Sequence, residues 1–192
     1  MTALRKTDEI LTAEEYLAFE LESQHRHEFV CGRIYAMAGT TIVHADIALN
    51  IGAELRAQLR GKPCRPYMTE IKLKVRALSE ENYYYPDVMV ACDPADNAEL
   101  WRERPSVIFE VVSLSSVRTD FEKFYIYQHI PALQLYVIVE QERRMVTTVL
   151  RTADGWQRAY ITETAAQLPL DSIGCQLSLA QIYEGIDFAA GK

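Results

Sequence analysis

The sequence lacks most of the features by which functional classes announce themselves. Its four cysteines, Cys31, Cys64, Cys92 and Cys175, are scattered singly. With no CxxC pair there is no zinc ribbon or dithiol redox centre, and buried free thiols are the expectation. No apolar run reaches about 18 residues, and MTALRKTDEI has no apolar segment of a leader. Neither a membrane span nor export is expected, and a cytoplasmic protein is the default. There is no Gly-rich phosphate loop for ATP, and no GxSxG elbow around Ser113, Ser115 or Ser116. His25, His27 and His44 lack the spacing of a zinc site. Excess positive charge is missing too. A net charge of −7 argues against coating nucleic acid through bulk charge, though not against an enzyme that meets DNA through a local basic patch.

What remains is an ordinary globular composition over 192 residues, 49 % apolar and 24 % charged, without repeats or a Pro/Ser-rich linker. That length supports one domain, residues 1–192, with a core of its own. LTAEEYLAFELES has Thr12 and Glu15 in capping-box spacing ahead of a helical pattern. HEFVCGRIYAMAG then reads as a hairpin turning at Cys31–Gly32 with Glu28 near its start and an exposed tip. From about His44, Ile47, Ile51, Leu55 and Leu59 recur four apart up to Gly61, the clearest helix in the chain.

YMTEIKLKV alternates Ile71, Leu73 and Val75 with a charged face of Glu70, Lys72 and Lys74. A turn over Ser79–Asn82 leads into YYYPDVMVA, so the two runs are expected to pair. CDPADNAELWRERP is loop-like and delivers the chain to VIFEVVS. Thr119 and Glu122 repeat the capping-box spacing at the head of DFEKFYIYQHI, which Pro131 ends, and LQLYVIVE follows as a strand covered on both faces. Strand, helix, strand implies a right-handed crossover. MVTTVLRTADGWQRAYIT reads as a hairpin around Asp154–Gly155, and LSLAQIYEGI as a short helix. The fold class is α/β, a mixed central sheet flanked by helices with an N-terminal and a C-terminal hairpin.

Chemistry gathers at two strand-like runs that each set one carboxylate among apolar residues, Asp87 in YYYPDVMVA and Glu110 in VIFEVVS. Alternation puts Tyr83, Tyr85, Asp87 and Met89 on one face and Ile108, Glu110 and Val112 on one face. If the runs are neighbours in register, two buried carboxylates lie side by side, which is costly unless a cation sits between them. Oxygen donors point to Mg²⁺ or Mn²⁺. The plainer alternatives are a strand-end acid capping a turn for Asp87 and a salt-bridged structural acid for Glu110.

The ordered set Pro86-Asp87, Glu110-Val111-Val112-Ser113, Asp120-x-x-Lys123 and Tyr127 resembles the PD-(D/E)XK nuclease superfamily. More narrowly it resembles the Uma-two family of restriction endonuclease-like proteins, from HEFVCGRIYAMAG through LQLYVIVE. The resemblance implies a Mg²⁺-dependent endonuclease fold acting on DNA, with Asp87, Glu110 and Lys123 catalytic and Asp87, Glu110 and Glu28 on the metal. It also implies a homodimer that cuts both strands. The superfamily lysine two residues after the acid is absent, since Val112 stands there. Lys123, brought from the following helix, is the implied replacement, and Lys72 is the alternative. Arg56, Arg60, Lys62, Lys72 and Lys74 are candidates for phosphate contacts. A nuclease-fold binding or scaffold protein without activity is the rival from another class.

Overall fold

The computed structural model describes residues 4–5, 10–37, 39–77, 80–113 and 117–188, with side chains undescribed at 4–5 and 117–121. Strand β1 (Leu4–Arg5) precedes helix α1 (Ala13–Glu22), then β2 (His27–Val30), β3 (Arg33–Ala36), α2 (Ile42–Gln58), β4 (Arg65–Met68), β5 (Lys72–Ala77), β6 (Glu80–Tyr84) and β7 (Val88–Ala91). After β8 (Trp101–Arg102) come β9 (Pro105–Val112), α3 (Val117–Tyr127), β10 (Leu135–Glu140), β11 (Val146–Thr152) and β12 (Gly155–Ile161). The chain continues with β13 (Gln167–Leu170), a 3-10 turn (Asp171–Ile173), β14 (Cys175–Ser178) and α4 (Leu179–Ile182).

Two six-stranded sheets carry the fold, ordered β1-β3-β2-β6-β5-β8 and β12-β11-β10-β9-β7-β4, with β13 and β14 as a separate pair. The second is the mixed sheet expected: β9 and β10 run parallel across the α3 crossover, and β7 and β11 flank them antiparallel. One of its faces presents Val88, Val90, Val107, Phe109 and Val137 to Ile47, Ile51 and Leu55 of α2. The other presents Met89, Ile108, Val112 and Ile138 to Tyr127 of α3 and to Leu73, Val75 and Tyr84 of the first sheet. Alternation along β9 thus feeds two cores at once.

Local signals account for several boundaries. Thr12 caps α1 with both halves of the box, Thr12 Oγ1 accepting from Glu15 N and Glu15 accepting from Thr12 N. The first hairpin turns where expected, with Cys31 at φ 49° and Gly32 at φ 76°, the paired left-handed residues of a tight two-residue hairpin. The α2 helix begins two residues before His44, capped by Thr41.

Other expectations are corrected. YYYPDVMVA is not one strand: Pro86 lacks the N–H to continue a ladder, so β6 ends at Tyr84 in the first sheet and β7 begins at Val88 in the second. YMTEIKLKV also divides, into β4 and β5 on different sheets. Of its charged face, expected to be solvated, only Glu70 is exposed. Lys72 and Lys74 are buried against the rings of Tyr85, Tyr83 and Trp101. The turn over Ser79–Asn82 falls partly on 78–79, outside the described residues, and Asn82 lies inside β6. Thr119 lies within α3, which starts at Val117, so it is not the helix's N-cap. Four free thiols were expected, yet Cys64 and Cys92 form a disulfide, because Arg65 pairs with Ala91 and the next residues out face each other. Of the other two, Cys175 is buried and Cys31 is exposed.

Candidate active site at the junction of the two sheets

The break at Pro86–Asp87 is where the chain passes from one sheet to the other, and the site is built there. The β7–β9 register pairs Val88 with Phe109. Asp87 lies just before β7, outside the ladder, and its contacts run to β9 at Val111 and to α2 rather than to Glu110. Asp87 is fixed through both oxygens: Oδ2 accepts from the Val111 N–H at 2.7 Å, and Oδ1 lies 2.8 Å from His44 Nε2. His44 gets there because Thr41 caps α2 and so places it in the first turn.

Glu110 projects from the other side of β9 toward α3. Its Oε1 accepts from the Tyr127 hydroxyl at 3.0 Å. Burial, reinforced by the Glu110 and Glu28 charges, pushes that phenol far above its ordinary range, so it stays a protonated donor. Lys123, one helical turn before Tyr127, places its ammonium 3.7 Å from Glu110 Oε1 and 2.8 Å from Glu28 Oε1. It also lies 5.9 Å from the centre of the Tyr84 ring. Glu28 reaches it because β2 sends Glu28 to the face that carries Tyr84, opposite the face of His27 and Phe29 that meets α1.

The structure therefore gathers Glu28, Glu110, Lys123 and Tyr127 around one ammonium, while Asp87 is held by the Val111 N–H and His44; the carboxylates of Glu28, Asp87 and Glu110 are 8 %, 6 % and 4 % exposed. Burying that much acid requires countercharge, which Lys123 supplies to Glu28 and Glu110. Lys72, the alternative lysine, lies elsewhere. It shares the α1 face with Tyr85, 5.5 Å from the ring centre, and burial pushes its ammonium below the ordinary lysine range. Among the described residues no three His, Cys, Asp or Glu side chains converge closely enough to hold an ion between them. The donor chemistry nonetheless suits Mg²⁺ or Mn²⁺, since Asp87 and Glu110 offer hard carboxylate oxygens. The side chain of Asp120 lies outside the described residues, as do Ser115 and Ser116.

Sequence reasoning passed over His44, which was weighed only as a zinc ligand. The usable signal was the Thr41–His44 spacing, which marks a capped first turn with the imidazole near its head. A family model described as "Uma2: Putative restriction endonuclease" matches residues 13–181. The chain belongs to the Uma2 family. The matched span carries all the residues gathered at the junction.

Two uncharacterized Synechocystis sp. proteins are similar over most of their length. One, slr1290, is 31 % identical over 180 residues, covering 93 % of this chain and 94 % of that protein. The other, sll1609, is 33 % identical over 139 residues, covering 70 % and 77 %. Among solved structures, one described as a "putative nuclease belonging to DUF820" from Anabaena variabilis matches with a TM-score of 0.72 at 15 % identity, over 93 % of this chain and 98 % of that one. The Uma2 chain and that protein share a fold, a mixed sheet flanked by helices. Among the described residues no helix is long and apolar enough to cross a membrane.

Proposed function

We propose that this Uma2 chain is a metal-dependent endonuclease of the PD-(D/E)XK type that hydrolyses DNA phosphodiester bonds. The observation that carries this is the placement of Lys123, whose ammonium lies within 3.7 Å of Glu110 although the motif position holds Val112. In this reading Asp87 and Glu110 hold Mg²⁺ or Mn²⁺ and Glu28 assists. A divalent ion held there would supply a bound water of lowered pKa and offset phosphate charge.

The chain's own groups do the rest. The Val111 N–H and His44 fix the direction of Asp87, and the Tyr127 hydroxyl fixes that of Glu110. Glu28 holds Lys123 at the junction of the two sheets. There the ammonium orients the attacking water and stabilises the charge that develops on the phosphorus oxygens.

Substitution tests the assignment. Asp87→Ala and Glu110→Ala are each expected to lower Mn²⁺-dependent cleavage of duplex DNA on the order of 10²–10³-fold, and unchanged rates in both would remove these residues from the chemistry. Running duplex DNA, single strands and RNA side by side checks the substrate. A second reading, a nuclease-fold binding module without activity, draws on Val112 at the motif position. Calorimetric titration with Mn²⁺ separates the two, because only the nuclease reading requires heat that disappears in Asp87→Ala.

A further inference from the structure

At the far end of α2 from His44, Arg56, Arg60, Lys62 and Arg65 surround a cleft of about 490 Å³ that no acidic side chain lines. Elsewhere many of this acidic protein's cations have acidic partners. Arg26 pairs with Glu70, Lys74 and Arg76 with Glu81, Arg104 with Asp93, Lys123 with Glu28 and Arg143 with Glu140. Arg56, Arg60 and Arg65 have no acidic partner among the described residues. Lys62 donates to the Gly174 carbonyl at 2.9 Å, which braces one rim, and the Cys64–Cys92 bond braces another. Three guanidiniums without acidic partners around one cleft, in a chain of net charge −7, make a locally basic surface that is not a by-product of general basicity. The planar fork of arginine suits phosphodiester oxygens.

The spacing suggests which phosphates these are. His44 sits in the first turn of α2, which runs for 17 residues, and Arg56 sits in its last. The rise of 1.5 Å per residue puts Arg56 roughly 18 Å along the helix axis from His44, and Arg60, just past the end of the helix, up to about 24 Å away. On a duplex at about 3.4 Å per nucleotide of one strand, that is about five to seven nucleotides. We propose that this cleft is a second contact for the nucleic-acid backbone, where Arg56, Arg60 and Arg65 hold phosphodiesters about five to seven nucleotides from the cut. α2 is then a strut with the reacting centre at one end and a phosphate grip at the other. The proposal rests on the nuclease reading for the identity of its ligand.

Duplex DNA binding measured by fluorescence anisotropy in EDTA, across a range of salt concentrations, tests it without any turnover. Replacing Arg56→Gln, Arg60→Gln and Arg65→Gln together is expected to reduce the slope of log K against log salt by about 2 to 3 on a duplex longer than two helical turns. A duplex too short to span α2 should show a smaller change. Arg76→Gln, which removes a cation already paired with Glu81, serves as the control and should leave the slope in place. All three arginines are exposed, and a thermal melt verifies that the triple variant folds. A triple variant with the wild-type slope on the long duplex, while the wild type binds and cleaves, overturns the cleft assignment alone. A wild type that neither binds nor cuts any duplex overturns it together with the nuclease reading.

Discussion

Lys123 holds its ammonium between carboxylates from two different sheets, so replacing it by methionine removes the countercharge from both. The expected cost in stability is about 1–3 kcal/mol, below that of a fully buried pair because the lysine is partly exposed. The expected loss of Mn²⁺-dependent cleavage is on the order of 10²–10³-fold. Lys72→Met makes the contrasting measurement, since Lys72 lies on the α1 face with Tyr85 and should leave cleavage within a few-fold of the wild type. Its titration gives a second handle. Burial lowers the folded-state pKa of Lys72, so between that value and the ordinary lysine value the unfolded chain binds more protons, and stability rises with pH through that window. Melting curves across the alkaline range should show this rise in the wild type and a flatter one in Lys72→Met. Asp87 and Glu110 were legible as residues because each interrupts an apolar run. His44 was not, since nothing local distinguishes an imidazole aimed at a distant carboxylate from one at a helix surface.

Elements with self-contained signals were legible. The Thr12 box and the Cys31–Gly32 turn each depend on neighbours within a few residues, and both formed as read. Elements whose limits depend on distant partners were not. Nothing in YMTEIKLKV announces that its first half joins β7 while its second half joins β6, and the ladder assignments decide it. Gly52 offers a hint only in retrospect: a Cβ there would lie 2.7 Å from Met68 Sδ, so its absence lets β4 pack closely on α2. The same long-range register produces the Cys64–Cys92 bond, which no spacing rule flagged. It closes a loop across a sequence separation of 28 residues, worth about 3–4 kcal/mol in the chain-entropy account. Reduction, or Cys64→Ser, should lower the melting temperature, whereas Cys175→Ser should leave the response to reductant intact.

Across the whole molecule, two sheets meet along the face where α3 packs, and the candidate catalytic groups lie where the chain crosses between them. The mixed sheet was legible from the strand–helix–strand pattern around Glu110, and the second full sheet was not, because its strands come from well-separated parts of the chain. This architecture explains how one side chain touches both sheets: α3 lies between them, so Lys123 reaches Glu28 on one and Glu110 on the other, the position the proposed reading requires of it. On the proposed reading the functional groups come from both sheets, so the site depends on the junction as a unit, and preorganised groups of this kind lose their effect together. The most direct measurement is the rate of Mn²⁺-dependent cleavage of duplex DNA by the wild type and by Glu110→Ala under identical conditions. The nuclease account predicts measurable cleavage by the wild type and a loss on the order of 10²–10³-fold in the variant. Equal rates in the two proteins, or no cleavage by the wild type, would contradict it.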